Sequence, residues 1–110
     1  MASFKKFDID PECYLEVAKY RAKRSGYDPD LLELSDKKNY KLEYDGIPFG
    51  RHPYPDYIIY RILAYQKRDG ITREIAEEKR KSYLNRSGGI KGDWEDDKLS
   101  PNNLARNINW

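Results

Sequence analysis

The sequence predicts a small single domain of the α+β class, with a two-stranded β-hairpin packed against three or four α-helices. Two observations carry this prediction. One segment alternates polar and apolar residues up to an Asp-Gly pair and then continues as a short apolar run, which is typical of a hairpin. Other segments open with a helix-capping residue and repeat apolar residues at helical spacing. A length of 110 residues suits one domain with one core.

The first predicted helix spans residues 10–26. It begins at Asp10, a capping residue that precedes a proline, and Gly26 supplies a natural end. Cys13 is predicted to be a small core residue of this helix. Residues 1–9, which precede the helix, could form a flexible arm.

Residues 38–110 are predicted to form the hairpin and the remaining helices. Just before them, the leucines within residues 31–34 could make one helical turn. Residues 39–44 alternate with period two, and the Asp-Gly pair at 45–46 favours a tight turn because both residue types tolerate a positive φ. The return strand over 47–50 contains a proline, which cannot donate to a ladder. That strand should therefore be short or lie at an edge.

The segment 57–65 is apolar almost all round, as expected of a buried helix. Its β-branched residues would also suit a strand, but the polar residues that follow extend it past strand length. We expect this helix at the centre of the core. The residues predicted to build the core with it are Leu42, Phe49, Ile59, Ile62, Leu63, Ile75, Tyr83, Leu104 and Ile108.

Two further helices are predicted. One opens at Thr72, carries acids early and bases late, and is broken by the Ser-Gly-Gly sequence at 87–89. Residues 90–99 read as an acidic loop. A serine followed by a proline at 100–101 then begins a short last helix that ends in Trp110.

The composition narrows the function classes. A net charge of +2 from 21 basic and 19 acidic residues is too even for a dedicated nucleic-acid coat. A single cysteine excludes an internal disulfide framework and fits a reducing compartment. No apolar stretch has the length of a membrane span or a signal peptide, so neither a membrane partner nor secretion is expected.

Catalytic patterns are sparse. With one histidine, His52, and one cysteine, the chain lacks a zinc-ligand set, and no glycine-rich phosphate loop occurs. We therefore expect no catalytic residue, no metal and no cofactor. An enzyme that processes nucleic acid through His52 stays as a third hypothesis, and it requires His52 to face a cleft.

Two groups of residues are candidates for binding. A basic, aromatic-bearing helix end could contact phosphates and stack on bases, unless it is merely a solvated helix face. Its residues are Lys79, Arg80, Lys81, Tyr83 and Arg86, and a second such end carries Lys19, Tyr20, Arg21, Lys23 and Arg24. Nucleic-acid binding predicts that these ends form one positive face. Tyr54, Tyr57, Trp94 and Trp110 are candidate interface anchors, unless they cap the core.

The order of short motifs over residues 38–110 is similar to the order of motifs in a known protein family. Phe49-Gly50 is followed by Tyr54, Asp56-Tyr57, Lys79-Arg80, Tyr83-Leu84 and Arg86, and then by Leu99 to Ala105 and Trp110. This string resembles a family of short, uncharacterised proteins encoded by large double-stranded DNA viruses of eukaryotes and protists. The resemblance implies a non-enzymatic structural or accessory protein, such as a minor virion component that contacts other proteins. It implies a location in the virion or in the host cytoplasm or nucleus, and it carries over no catalytic residue.

Overall fold

The computed structural model describes residues 2–52, 54–90 and 94–110, with only the backbone of residues 2 and 3. The strands are β1 (Leu32–Leu34), β2 (Tyr40–Tyr44) and β3 (Ile47–Arg51). The helices are α1 (Ala2–Phe7), α2 (Pro11–Arg24), α3 (Tyr57–Tyr65), α4 (Arg73–Gly88) and α5 (Pro101–Leu104), which continues as a π-helical turn over Ala105–Asn109. Short 3-10 turns occupy Pro29–Leu31 and Trp94–Asp96. The α+β class is confirmed, and the predicted loop over 90–99 lies partly outside the described residues.

The sheet is antiparallel with the order β1-β2-β3, so the prediction of two strands was wrong by one. The leucines expected to form a helical turn are divided between a 3-10 turn and β1. Leu32 pairs with Tyr44, and Leu34 pairs with Leu42. Burial of Leu32 and exposure of Glu33 give this short strand the period-two pattern that pairing against β2 requires.

The predicted hairpin turn is confirmed. Asp45 has a φ of 49° and Gly46 a φ of 84°, and Tyr44 pairs directly with Ile47 across the turn. Two successive residues with positive φ are the mark of the tight turn that matches the twist of antiparallel strands.

The predicted helix starts are also confirmed. The Asp10 side chain accepts a hydrogen bond from Glu12 N, the Thr72 side chain from Ile75 N, and the Ser100 side chain from Asn103 N. Each bond satisfies a backbone N–H that the first turn of a helix leaves unpaired. Within the described residues, no helix combines the length and the apolar character needed to cross a membrane.

Helix α3 lies at the centre of the core, as predicted. It packs against α4 and α2, while α5 packs against β3. Of the residues predicted for the core, the buried ones are Leu42, Phe49, Ile59, Ile62, Leu63, Leu104 and Ile108. Ile75 and Tyr83 are only half-buried, because α4 places the small Ala76 against α3 and leaves most of its surface to charged residues.

The N-terminal segment differs from the expected flexible arm over residues 1–9. Its described residues form α1, which buries Phe4, and the chain then buries Ile9. The ring of Phe4 packs edge-on against Tyr14, with 4.9 Å between the ring centroids. Residue 1 lies outside the described residues.

Cys13 is exposed, so its prediction as a core residue was wrong. The buried face of α2 is formed by Tyr14, Ala18 and Ala22, which recur at intervals of four residues. Cys13 precedes Tyr14 by one position, which on a helix points its thiol away from that face.

Candidate functional site

A cleft of about 740 Å³ opens between β3, the segment leading into α3, helix α4 and the end of the chain. We call it the aromatic cleft. Its aromatic residues are Tyr40, Tyr54, Tyr60, Tyr83 and Trp110, and its exposed cations are Arg51, Lys79 and Arg86. Large aromatic faces beside exposed positive charge make this the most distinctive surface of the described residues.

Asp56 forms the floor of the aromatic cleft and is almost fully buried. One carboxylate oxygen, Oδ1, accepts the Ile59 N–H at 3.0 Å and so caps α3. The other, Oδ2, accepts from Lys41 Nζ at 3.2 Å, from Asn109 Nδ2 at 3.0 Å and from the Tyr14 hydroxyl. The Asp56 carboxylate therefore links β2, the start of α3, helix α2 and the last turn of the chain through hydrogen bonds.

Lys41 neutralises that charge within the floor. Its ammonium group forms a buried ion pair with Asp56 and also donates to the backbone oxygen of Tyr54 at 2.6 Å. The second bond fixes the segment before α3, which carries the Tyr54 ring to the edge of the cleft. Because the floor charges cancel, the cations at the rim set the net charge of the cleft.

Asn109 joins the floor to the last turn of the chain. Its Nδ2 donates to the Tyr14 hydroxyl at 2.8 Å as well as to Asp56, while its buried Oδ1 accepts no hydrogen bond from the described part of the chain. The amide lies against Gly50, where an added Cβ would stand 2.6 Å from Nδ2. Gly50 has a φ of 73°, which favours glycine. The absence of a side chain at Gly50 leaves the space that the Asn109 amide occupies.

One wall of the cleft is a stacked aromatic pair. The rings of Tyr83 and Trp110 lie 4.3 Å apart between centroids and are within 8° of parallel. Burial raises the pKa of the Tyr83 phenol, which therefore stays neutral. Arg21 Nη2 and Arg80 Nε each donate to the backbone oxygen of Trp110 at 2.7 Å and hold the tryptophan in place.

The rim cations form no ion pair with an acidic residue in the part of the chain that the structure describes. Within residues 2–52, 54–90 and 94–110 the ion pairs are Lys41–Asp56 and Arg61–Glu77, and neither involves Arg51, Lys79 or Arg86. Among the described residues that line the aromatic cleft, Asp56 is the sole acid. The cleft is therefore positively charged at its exposed edge.

A second, smaller cleft of about 220 Å³ is lined by four arginines. We call it the arginine cleft, and its residues are Arg21, Arg24, Arg80 and Arg106 with Ser25 and Asn107. Residues near the end of the chain line both clefts, since Ala105, Asn109 and Trp110 line the aromatic cleft and Arg106 and Asn107 line the arginine cleft. Arg21 and Arg80 bind the backbone of Trp110 from the arginine cleft, while the Trp110 ring lines the aromatic cleft.

The predicted basic residues are divided between the two clefts. Lys79, Tyr83 and Arg86 line the aromatic cleft, Arg80 lines the arginine cleft, and the exposed Lys81 lines neither. The two basic helix ends do meet, because Arg21 and Arg24 of α2 lie with Arg80 of α4. No distinguishing local pattern marks five other lining residues, so they were not predicted: Lys41, Arg51, Tyr60, Arg106 and Asn109.

Two of the interface candidates face the aromatic cleft and two do not. Tyr54 is 67% exposed, and Trp110 is half-buried. Trp94 is half-buried outside both clefts, where its Nε1 donates to Ile90 O at 2.7 Å and Arg106 lies over its ring.

Tyr57 is not an exposed anchor as the sequence suggested, because only 5% of its surface is exposed. Its hydroxyl donates to Glu77 and accepts from Arg61 at 2.7 Å. The guanidinium carbons of Arg21 and Arg80 lie 5.0 and 5.6 Å from its ring centroid. The buried Tyr57 ring therefore packs against the arginines, and such contacts help to hold their guanidinium groups in place.

The third hypothesis requires His52 to face a cleft, but His52 lines neither of these two. Its ring packs edge-on against Phe4, with 5.5 Å between centroids. Burial, and then the charge of Lys41, lower the pKa of His52 and favour its neutral form. In the described part of the chain, no three His, Cys, Asp or Glu residues cluster closely enough to hold a metal ion.

Comparison of the chain with protein-family models, with curated proteins and with solved structures found no match in any of the three. The resemblance to a viral family therefore stays a prediction.

Proposed function

We propose that this chain is a non-enzymatic binding protein whose ligand is single-stranded nucleic acid held in the aromatic cleft. The observation that carries the proposal is the pairing of the Tyr83–Trp110 stack with three rim cations that form no ion pair with any described residue. Proteins that bind single strands combine these two features, because aromatic rings stack on bases and cations follow the backbone.

The roles divide by position in the cleft. Tyr54 and Trp110 offer ring faces to bases, while Arg51, Lys79 and Arg86 contact phosphates. Trp110 is fixed from behind by two arginines, so it loses little conformational freedom when a base stacks on it. The neutral floor adds no repulsion toward the phosphates.

A single strand suits the cleft better than a duplex. Ring-on-base stacking needs bases whose faces are free, and a duplex covers those faces with neighbouring base pairs. A duplex could use only the rim cations. We therefore expect affinity to follow strandedness more than sequence.

Replacing Tyr54 with alanine should weaken binding of a labelled oligothymidine by about tenfold, since stacking contributes roughly 1–3 kcal/mol per base. The exposure of Tyr54 means that its removal leaves the core intact. Fluorescence anisotropy at fixed salt measures the change.

The matched control is Tyr65→Ala. Tyr65 is 90% exposed and lines neither cleft, so this variant should bind the oligothymidine like the unaltered protein. Equal affinities for the Tyr54→Ala and Tyr65→Ala variants would contradict the proposal.

A second proposal is a structural or accessory role in a large DNA virus, through contacts with other proteins. Its support is the resemblance over residues 38–110, together with Tyr54 and Ile90, which expose large apolar surface at one cleft. Binding of the oligothymidine, measured with the Tyr54→Ala and Tyr65→Ala variants, also distinguishes this second proposal from the first. If the oligothymidine fails to bind at low salt, the aromatic cleft becomes a candidate surface for a protein partner.

A further inference from the structure

The arginine cleft concentrates basic side chains. Four arginines line a space of about 220 Å³, and none of them is in either ion pair of the described residues. The other lining groups are Ser25 and Asn107, which are neutral and can donate hydrogen bonds.

Hydrogen bonds to the protein hold three of the four guanidinium groups in place. Arg21 Nε donates to Ile108 O at 2.8 Å, and Arg80 Nε donates to Trp110 O at 2.7 Å. Arg106 Nη1 donates to Leu84 O at 2.7 Å and to the Ser87 hydroxyl. Since a guanidinium has five N–H groups, each of the three keeps donors for a ligand. A site whose donors are already positioned loses less entropy on binding.

The environment of Arg21 destabilises its charged form. Burial lowers the pKa of Arg21 below its ordinary value, and the charges of Arg80 and Arg24 act in the same direction, whereas Tyr57 and Asp56 act against it. A lowered pKa for a cation means that its charged form is destabilised. An anion bound beside Arg21 would offset this destabilisation.

We propose that the arginine cleft is a binding site for a phosphate group in its dianionic form. A phosphate offers oxygens in several directions and carries about two negative charges, which suits donors that converge from different elements. A carboxylate is planar and carries one charge, so it would leave more of the cluster unbalanced. The phosphate could be free phosphate or the terminal phosphate of a strand, because helix α4 and residues 105–110 contribute side chains to both clefts.

The first test is calorimetric titration of the full chain with inorganic phosphate. Arg24→Gln should weaken binding on the order of tenfold, since hydrogen bonds to charged groups contribute about 1.5–3 kcal/mol. Arg24 is exposed and its guanidinium lies over the Tyr20 ring, so the variant should fold normally. Arg73→Gln on α4 removes an exposed arginine outside both clefts and should bind phosphate unchanged.

Absence of binding at millimolar phosphate, or equal weakening by both variants, would overturn the proposal. The source of the phosphate is resolved by comparing oligothymidines with and without a terminal phosphate. Tighter binding of the phosphorylated strand that Arg24→Gln abolishes would identify a strand end. Equal binding of the two strands, with phosphate binding that still depends on Arg24, would identify a free phosphate site. The Tyr54→Ala variant should leave phosphate binding unchanged, so failure of the strand proposal is distinguishable from failure of this one.

Discussion

Replacing Asp56 with alanine is expected to destabilise the fold by about 4 kcal/mol. The substitution removes the cap of α3 and leaves the ammonium group of Lys41 buried without its counter-charge. It also removes an acceptor from Tyr14 and Asn109. Breaking a buried ion pair by deleting one partner costs more than the pair itself contributes, because the remaining charge keeps its desolvation cost.

The matched control is Asp10→Ala. Asp10 caps α2 through a hydrogen bond from Glu12 N, but it is exposed and is in neither of the two ion pairs. Loss of an exposed cap costs about 1 kcal/mol. Urea unfolding of both variants measures the difference, and similar losses would show that the buried network contributes little beyond capping.

Gly50→Ala is expected to destabilise the fold by about 3 kcal/mol, from a backbone strain of about 1–2 kcal/mol and a similar cost of overpacking. The φ of 73° is unfavourable for alanine, and the new Cβ would stand 2.6 Å from Asn109 Nδ2. Asn109 cannot move freely, because it is fully buried and bonded to Tyr14 and Asp56. The variant should therefore also disturb the floor of the aromatic cleft.

Gly46→Ala separates the two costs. Gly46 has a similar φ of 84°, but nothing lies within 4 Å of a Cβ added there. This variant should lose only the strain, about 1–2 kcal/mol. Thermal or urea unfolding provides the comparison. Equal losses for the two glycine variants would mean that Asn109 yields to the new methyl group, which would contradict a rigid floor.

Local signals predicted the parts of the fold that depend on local chemistry. The caps at Asp10, Thr72 and Ser100 and the turn at residues 45–46 each follow from a few adjacent residues. Strand β1 was not predicted because its three residues, Leu32–Leu34, acquire their conformation from pairing with β2. The packing of Phe4 likewise depends on Tyr14 and His52, which the sequence places far from it.

Part of the candidate site was also predictable. Lys79, Tyr83 and Arg86 recur at helical spacing and share the face of α4 that lines the aromatic cleft, whereas Arg80 points to the arginine cleft. That division follows from helix geometry. The sequence could not show that Arg106, which lies 26 positions after Arg80, would join the same cleft. It also could not show that Arg21 and Arg80 would lie over the ring of Tyr57.

The most direct test of the central claim is the salt dependence of oligothymidine binding by the unaltered protein, with a duplex of equal length beside it. Three phosphate contacts predict that the logarithm of the affinity falls linearly with the logarithm of the salt concentration, with a slope of about −2. Binding of the duplex should be weaker than binding of the single strand at every salt concentration. Absence of single-strand binding at low salt, or equal binding of strand and duplex, would contradict it.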